Sequence, residues 1–221
     1  MRSPPVAKGA LYEQVARIAK ATASPKRLEL IELLCQAPKT VELLAQEASI
    51  SVKLASAHLK ELRVARLVDT ERQGKHIIYR LASPDVARLW VQLRSVAQDR
   101  LFELQDALRQ LRDSQGEWRG QDHAQLLRQA REGNIVVIDV RPPGEYEQAH
   151  LPFARSMPLA ELRMRLAELP RDKPIVAYCR GPFCLMSADA VRLLQDQGFK
   201  AQQLSEGVAE WIARDAPLAA S

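Results

Sequence analysis

Apolar residues in the first third of the chain recur every three or four positions, which is the period of a helix with one buried face. The earliest such stretch, LYEQVARIAKATA, places Leu11, Val15 and Ile18 on one side. Three more helical stretches follow, each preceded by a residue suited to cap its N-terminus: Ser24 with Pro25 at the first helical position, then Thr40, then Ser51. The pattern predicts a succession of short helices.

After these helices the pattern changes to that of strands. Two β-prone arms, residues 67–72 and 76–81, are joined at Gly74, which predicts a hairpin. Short helices followed by a hairpin indicate a winged helix-turn-helix.

A second helical pattern begins at Ser83-Pro84-Asp85 and continues to about Asp113. Its apolar positions are Val86, Leu89, Leu93, Ala97, Leu101, Leu104, Leu108 and Leu111. Such a helix is long for a small domain, and its apolar stripe needs a partner. We expect the first two turns to pack on their own domain and the rest to meet the same helix of a second subunit. The sequence thus predicts a homodimer formed through residues 84–112.

The stretch SQGEWRG breaks the helical pattern and indicates a linker. Beyond it, helix and strand signals alternate. The predicted helices are HAQLLRQA, LAELRMRLAEL, SADAVRLLQDQ and residues 208–214, and the predicted strands are IVVIDV, PIVAYC and AQQL. Continuously apolar strands are typical of a parallel sheet covered by helices on both faces. We predict an α/β protein overall, with a mainly α winged-helix domain at 1–113, a linker at 114–117 and an α/β domain at 118–221.

Composition and charge limit the possible cellular locations and partners. The chain has 221 residues, 47% of them apolar, and no apolar run approaches the roughly 20 residues that cross a bilayer. The N-terminus lacks the apolar segment of a signal peptide, so we expect a cytoplasmic protein without a membrane partner. Three cysteines are too few for a disulfide scaffold and indicate free or reactive thiols. A net charge of +5 permits a polyanionic partner.

The distribution of basic residues favours DNA as that partner. In the helix after Ser51, Leu54, Leu59 and Leu62 are expected to face inward. The residues left to face outward are Ser51, Lys53, Ser56, Ala57, His58 and Lys60, and the hairpin adds Arg72, Lys75, His76 and Arg80. Such a helix can lie in the major groove while lysines hold phosphates. Any one of these residues alone is more often part of a solvated face, but together with the winged pattern they predict binding to double-stranded DNA.

The stretches SPKRLELIELL, ISVKLASAHLKELRVARLV and ERQGKHIIYRL resemble the ArsR-type winged-helix repressors over roughly residues 10–100. The resemblance implies a dimeric repressor that leaves its operator when an inducer binds. It does not supply the inducer, because the metal-binding Cys-x-Cys pair, the zinc-binding Asp and His, and the dimer-helix cysteine of various relatives have no counterpart here. We therefore expect no metal site and no cofactor, and we interpret Cys35 as a small core or helix-end residue. The sensor should lie elsewhere or be absent.

The stretch YCRGPFC places Cys179 and Cys184 directly after a predicted buried strand. Ligands of open parallel sheets bind at the carboxyl ends of strands. Amides of the loop 180–185 and the start of the next helix, near Met186 and Ser187, would lower the pKa of Cys179 and make it a nucleophile. Gly181 permits close approach of the backbone, and Arg180 adds positive charge. The alternative is a buried strand-end cysteine without chemistry, which the position before Gly-Pro and a helix disfavours.

The stretches VVIDVRPPGEYEQAHLPFARSMPL, IVAYCRG and LLQDQGFKAQQLSEGVAEW resemble a single rhodanese domain over about 118–215. The resemblance implies a sulfurtransferase-type site with Cys179 as sulfur carrier. Asp139, Arg141 and Glu145 match the family's Asp-x-Arg and following Glu, and we interpret them and His150 as structural. The loop departs from the family pattern in its early Gly and its Pro182, and the stretch from Cys179 to Gly198 is slightly longer.

Two further residues of this loop bear on the chemistry. Leu185 stands where phosphatase relatives carry an arginine that grips phosphate, so phosphatase or arsenate reductase activity ranks below sulfur chemistry. Cys184 is not part of the usual rhodanese loop. Once Cys179 carries a sulfane sulfur, Cys184 could attack it to give a disulfide or trisulfide and release sulfide.

The main hypothesis is a transcriptional regulator that binds operator DNA and senses reactive sulfur through Cys179. The resemblance to the ArsR-type proteins implies that it is a repressor. The donor would be thiosulfate, polysulfide or a low-molecular-weight persulfide. A second hypothesis is a sulfurtransferase whose winged helix serves for dimerisation or for tethering to DNA. A third, a metal-responsive repressor that processes arsenate, is disfavoured by the missing ligands.

Overall fold

The computed structural model describes residues 8–111 and 123–220. The chain folds into two compact units, Met1–Ala87 and Arg88–Ser221. The linker expected at 114–117 lies outside the described residues. Within the described part of the chain, no helix combines the length and the apolar character that crossing a bilayer requires.

The first unit has the predicted helices and hairpin. Its elements are α1 (Lys8–Thr22), α2 (Pro25–Leu34), β1 (Lys39–Thr40), α3 (Val41–Glu47), α4 (Val52–Val64), β2 (Val68–Gln73) and β3 (His76–Leu81). The strands form an antiparallel sheet in the order β1-β3-β2. Gly74 takes a positive φ of 61° at the turn of the hairpin, a conformation that glycine adopts without a steric penalty. The short strand β1 was not predicted.

The helix starts agree with the capping residues. The hydroxyl oxygens of Thr40 and Ser51 accept hydrogen bonds from the amides three residues later, each at 3.2 Å. Ser24 also stands at the N-cap, although its side chain makes no capping hydrogen bond, and Pro25 occupies the first turn. Cys35 is buried at the C-terminal end of α2, as its interpretation as a helix-end residue requires.

One prediction about the core of α4 is wrong. Leu59 and Leu62 are fully buried, but Leu54 is 43% exposed and Ala55 is buried in its place. Positions 55, 59 and 62 follow the i, i+4, i+7 spacing of a single helix face. At the N-terminal end of α4 the buried face therefore begins at Ala55, one residue later than predicted.

The prediction of one uninterrupted helix after Ser83 is also wrong. The structure has two helices, α5 (Pro84–Arg100) and α6 (Phe102–Leu111), which are separated at Leu101. At the break, the side-chain amide of Gln105 donates to the carbonyl of Gln98 at 2.8 Å. A side chain that binds a main-chain carbonyl competes with the helical ladder, which accounts for the interruption. Residues 112 and 113 lie outside the described residues.

The second unit is an α/β fold. After α5 and α6 its elements are α7 (His123–Arg131), β4 (Val136–Asp139), α8 (Pro143–Gln148), β5 (Arg155–Ser156), α9 (Leu159–Leu162), β6 (Ile175–Tyr178), α10 (Met186–Asp196), β7 (Ala201–Gln203) and α11 (Val208–Ala213). All strand pairs are parallel, in the order β5-β4-β6-β7. The predicted helix 159–169 is instead α9 followed by a 3-10 turn at Leu166–Glu168. Arg165 joins the two pieces by binding Glu161 and Glu168.

The sheet is buried on both faces, as its continuously apolar strands predicted. Ile138 and Ala177 belong to one apolar cluster, whereas Val137 and Val176 belong to a second cluster that also holds Trp211. Alternate strand residues point to opposite faces. Helices therefore cover both sides, and the carboxyl ends of β4 and β6 lie side by side.

A buried polar network ties these two strand ends together. Arg141 and Asp139 form an ion pair with an Nη2–Oδ2 distance of 2.6 Å, and both side chains are fully buried. The Tyr178 hydroxyl donates to Asp139 at 2.5 Å, and Arg141 donates to the Ala149 carbonyl at 2.7 Å. Burial, followed by the nearby Asp139 charge, raises the pKa of Tyr178 well above its usual value. Its hydroxyl therefore remains a donor.

We predict that Asp139→Asn destabilises the protein by about 3–5 kcal/mol, because it leaves the Arg141 charge buried without its counter-ion. The measurement is urea unfolding followed by tryptophan fluorescence. The control is Glu161→Gln, which removes a half-exposed carboxylate and should leave the unfolding midpoint unchanged. Equal midpoints for Asp139→Asn and wild type would contradict the assigned importance of this network.

Candidate functional site

The thiol loop, residues 179–185, joins the end of β6 to the start of α10. Cys179 is 1% exposed. Gly181 has a φ of 136°, a value that side chains other than glycine rarely adopt. The amide of Cys184 donates to the Gly181 carbonyl at 3.1 Å, which curls the loop back over the strand end.

The surroundings of Cys179 favour its thiolate. Burial opposes ionisation, but hydrogen bonds from the Cys184 thiol, from the Ser187 hydroxyl and from the amides of Ser187 and Gly181 lower the pKa of Cys179 to about 7. The same hydrogen bond to Cys179, together with burial, raises the pKa of Cys184. Because the pKa of Cys179 lies at about 7, roughly half of its thiol is ionised at neutral pH, while Cys184 stays protonated. The Cys179 sulfur also lies 3.5 Å from the carbonyl oxygen of Cys184.

Ser187 and Gln203 extend this cradle. The Ser187 hydroxyl is fully buried and lies 3.1 Å from the Cys179 sulfur. The side-chain amide of Gln203, on β7, donates to the Ser187 oxygen at 2.9 Å. An amide nitrogen only donates, so the hydroxyl proton of Ser187 is left to point at the sulfur.

Arg180 turns toward α8. Its Nη2 lies 2.5 Å from a carboxylate oxygen of Glu145, and its Nε lies 3.1 Å from both oxygens. Glu145 is 2% exposed. The charge of Arg180, which was expected to act on the sulfur, is paired with Glu145, so that the two residues hold the loop against α8.

The remaining expected framework residues are buried in the second unit. Asp139 and Arg141 form the network described above, next to Tyr178, the residue before Cys179. His150 is buried, stacks on the Tyr146 ring with centroids 3.8 Å apart, and places Nδ1 2.8 Å from the Tyr146 carbonyl. Its surroundings in the structure are those of a packed side chain.

The residues expected to contact DNA lie at the surface of the first unit. On α4 and at its cap, Ser51, Lys53, Ser56, Ala57 and Lys60 are exposed and His58 is half-buried. The hairpin exposes Arg72, Lys75, His76 and Arg80. The Arg72 side chain donates to the Gly74 carbonyl at 3.1 Å, which steadies the tip of the wing.

Residues 8–111 and 123–220 contain no group of three or more His, Cys, Asp and Glu residues that could hold a metal ion. Cys35, Cys179 and Cys184 form no disulfide.

Each half of the chain matches a known protein family. Residues 24–70 match the arsR family of bacterial regulatory proteins, and residues 122–214 match the rhodanese-like domain. The chain is 40% identical over 211 residues to the HTH-type transcriptional regulator Rv0324 of Mycobacterium tuberculosis, a match that covers 96% of this chain and 92% of the relative. The chain belongs to the ArsR family. It is a DNA-binding regulator with a rhodanese-like domain in its C-terminal half.

Two other similarities each concern one half of this ArsR-family regulator. A sulfurtransferase of Allochromatium vinosum is 30% identical over 88 residues, which are 39% of this chain and 80% of that enzyme. A solved homodimeric winged helix-turn-helix DNA-binding domain, Mb0332 of Mycobacterium bovis, is 38% identical, with a TM-score of 0.43 and coverage of 47% of this chain and 95% of that one.

Several residues around the thiol loop of the ArsR-family regulator were not identified from the sequence. They are the half-buried Gln203, the Arg94–Glu210 ion pair and Gly207. Ser187 was expected only as part of the helix start, and the role of its hydroxyl was not predicted. A signal was present for Arg94, because it continues the i, i+4 spacing of the buried Val86 and Trp90. A charged residue on the buried face of a helix requires a buried partner.

We predict that Ser187→Ala slows alkylation of Cys179 by iodoacetamide roughly tenfold at pH 6, because the thiolate loses a hydrogen bond. In the wild type the rate should rise with pH through a midpoint near 7, as the thiol becomes thiolate. The midpoint should move to higher pH in Ser187→Ala. Peptide mass spectrometry separates Cys179 from the other cysteines.

The matched control for this measurement is Ser156→Ala, on the edge strand β5, which should reproduce the wild-type profile. If Ser187→Ala also reproduces that profile, the Ser187 hydroxyl does not stabilise the thiolate.

Proposed function

We propose that this DNA-binding regulator responds to reactive sulfur species through Cys179. The observation that carries the proposal is the buried Cys179 sulfur at the end of β6, which lies 3.1 Å from the Ser187 hydroxyl and 3.5 Å from the carbonyl oxygen of Cys184. Hydrogen bonds in these surroundings lower the pKa of Cys179 to about 7. The same donors suit the anionic terminal sulfur of a persulfide. Since Cys179 is 1% exposed, the site favours a small donor over a protein donor.

The first chemical step loads one sulfane sulfur. The Cys179 thiolate attacks the terminal sulfur of a polysulfide dianion, a sulfur–sulfur bond of the donor breaks, and a polysulfide dianion shorter by one sulfur leaves. Cys179 then carries a persulfide, Cys179–S–S⁻. Charge and sulfur atoms balance, and no other reactant is needed.

The second step uses Cys184. Its sulfur attacks the Sγ atom of Cys179, the bond to the outer sulfur breaks, and that sulfur leaves as HS⁻ with the proton of the Cys184 thiol. The sulfane sulfur is reduced to sulfide, and the two thiols are oxidised to a disulfide. This step is supported by the packing of Cys184 beside Cys179, whose sulfur lies 3.5 Å from the carbonyl oxygen of Cys184.

On the DNA side, we propose that α4 lies in the major groove of an operator and that the basic hairpin contacts the flanking backbone. The active species is a homodimer. Five apolar residues of α5, of α6 and of the break between them are 39–81% exposed: Leu89, Leu93, Val96, Leu101 and Phe102. Such an exposed apolar face is suited to burial against the same face of a second subunit. Loading or oxidation of Cys179 would weaken operator binding.

A sulfurtransferase is the second candidate function. It is favoured by the 30% identity of the rhodanese-like half to a sulfurtransferase of Allochromatium vinosum. Rapid multiple turnover with thiosulfate and an acceptor thiol would support an enzyme, whereas loading that stops after one sulfur per Cys179 would support a sensor.

We predict that polysulfide weakens the affinity of the reduced protein for its own upstream DNA by at least about tenfold, a typical coupling between two sites. Fluorescence anisotropy of labelled DNA measures it. Cys179→Ser should bind the DNA and show no loss, whereas Cys35→Ser should respond like the wild type, because Cys35 lies at the end of α2 in the first unit. Unchanged affinity in the wild type would count against the proposed function.

We further predict that the product depends on Cys184. Intact mass spectrometry after polysulfide treatment should show an intramolecular disulfide in the wild type, and Cys184→Ser should stop at the persulfide, heavier by one sulfur atom. A persulfide as the end product in both proteins would exclude the second step.

A further inference from the structure

Helix α5 connects the two compact units. It starts at Pro84 in the first unit, and its residues from Arg88 onward belong to the second. Two of those residues, Trp90 and Arg94, are buried, at 6% and 4% exposure. Both face the thiol loop.

Trp90 contacts the loop through an aromatic pair. Its ring meets the ring of Phe183 edge to face, with centroids 6.1 Å apart and planes at 74°. Phe183 directly precedes Cys184 in the chain. The side chain next to the second cysteine of the loop therefore rests on α5.

Arg94 lies over both rings and binds a buried carboxylate. Its guanidinium carbon is 5.4 Å from the Trp90 ring centre and 5.5 Å from that of Phe183. It forms an ion pair with Glu210 of α11, and Glu210 also accepts from the amide of Gly207 at 2.5 Å. A guanidinium held by two rings and a carboxylate has little freedom to move on its own.

This ion pair borders the loop backbone directly. A Cβ atom on Gly181 would lie 3.3 Å from both carboxylate oxygens of Glu210 and 3.4 Å from Nη1 of Arg94. A Cβ atom on Gly207 would lie 2.4 Å from the carbonyl oxygen of Cys179. The main chain from Cys179 to Gly181 thus packs without a gap against the group formed by Arg94, Glu210 and Gly207.

Oxidation of the cysteines must disturb this packing. A disulfide requires its sulfur atoms to be about 2.05 Å apart, which is shorter than any non-bonded sulfur contact. One sulfur therefore has to approach the other, and we expect a shift of Cys184 to displace Phe183, its neighbour in the chain. The contacts of Phe183 with Trp90 and Arg94 are then expected to differ between the dithiol and the disulfide.

We propose that Arg94 and Trp90 are the positioning residues of the thiol loop and that α5 transmits the state of Cys179 to the DNA-binding unit. This inference rests on the proposed function, since it names how that response reaches the DNA. The dithiol loop holds α5 through Phe183 and Arg94, and the disulfide loop releases it. The difference in contacts between the two states is the source of the coupling.

The test compares three full-length proteins: the wild type, the double variant Arg94→Met with Glu210→Gln, and Arg88→Met. The double variant removes both buried charges together, so that no unpaired charge remains. Arg88→Met is the matched control, because Arg88 lies on the same helix and pairs with Asp215 at the surface. For each protein, polysulfide-induced loss of DNA affinity and oxidation of Cys179 are measured in the same samples.

We expect all three proteins to bind DNA when reduced and to become oxidised at Cys179. The loss of affinity should be at least about tenfold in the wild type and in Arg88→Met, and less than about twofold in the double variant. The pH midpoint of Cys179 alkylation should also move in the double variant and stay in place in Arg88→Met, a shift that a role confined to folding would not produce.

The outcomes separate the inference from the proposed function. If the wild type responds and the double variant responds equally, the role of Arg94 is overturned and the proposed function stands. If the wild type is oxidised without losing affinity, the proposed function itself fails. Should the double variant not fold, Phe183→Leu decides, because it removes the ring from Trp90 and keeps the ion pair. A response reduced at least about threefold supports the inference, and a full response overturns it.

Discussion

The response proposed for this regulator depends on a negative charge at Cys179, a side chain that is 1% exposed. Burial alone would keep the thiol protonated, so the fold must supply donors. They come from the loop amide of Gly181, from the amide and hydroxyl of Ser187 at the start of α10, and from Cys184. No single element provides them all, which makes the thiolate a property of the assembled loop. A change in the shape of the loop therefore changes the stability of the thiolate, and a change in the charge of Cys179 changes which loop shape is favoured.

The loop is in turn fixed by charged groups on both sides. Glu145 of α8 holds Arg180, while Arg94 of α5 and Glu210 of α11 pack against Gly181. Buried ion pairs of this kind add little net stability but resist partial rearrangement, because separating the partners exposes an uncompensated charge. We therefore expect a loop bordered by such pairs to change shape as a unit, which is the behaviour that a two-state response requires.

Structural features that depend on neighbouring residues could be predicted from the sequence. Features that depend on contacts between residues far apart in the chain could not. Helix starts at Thr40 and Ser51, the Gly74 turn and a cysteine at the end of a buried strand all follow from neighbouring residues. The break at Leu101 depends on one side chain, Gln105, competing for a main-chain carbonyl that any helix also uses. The Arg94–Glu210 pair joins residues 116 positions apart, and neither residue alone indicates the other. Periodicity shows that Arg94 faces inward, but only the fold shows what it meets.

The central claim is that the state of the two loop cysteines and the affinity for DNA are linked, and such a link acts equally in both directions. The most direct measurement is the midpoint potential of the Cys179–Cys184 pair with and without saturating operator DNA. If DNA binds the dithiol form better, it must stabilise that form, and the account predicts a more positive midpoint potential, by about 30 mV for each tenfold of coupling per pair. The same potential with and without DNA would contradict the account.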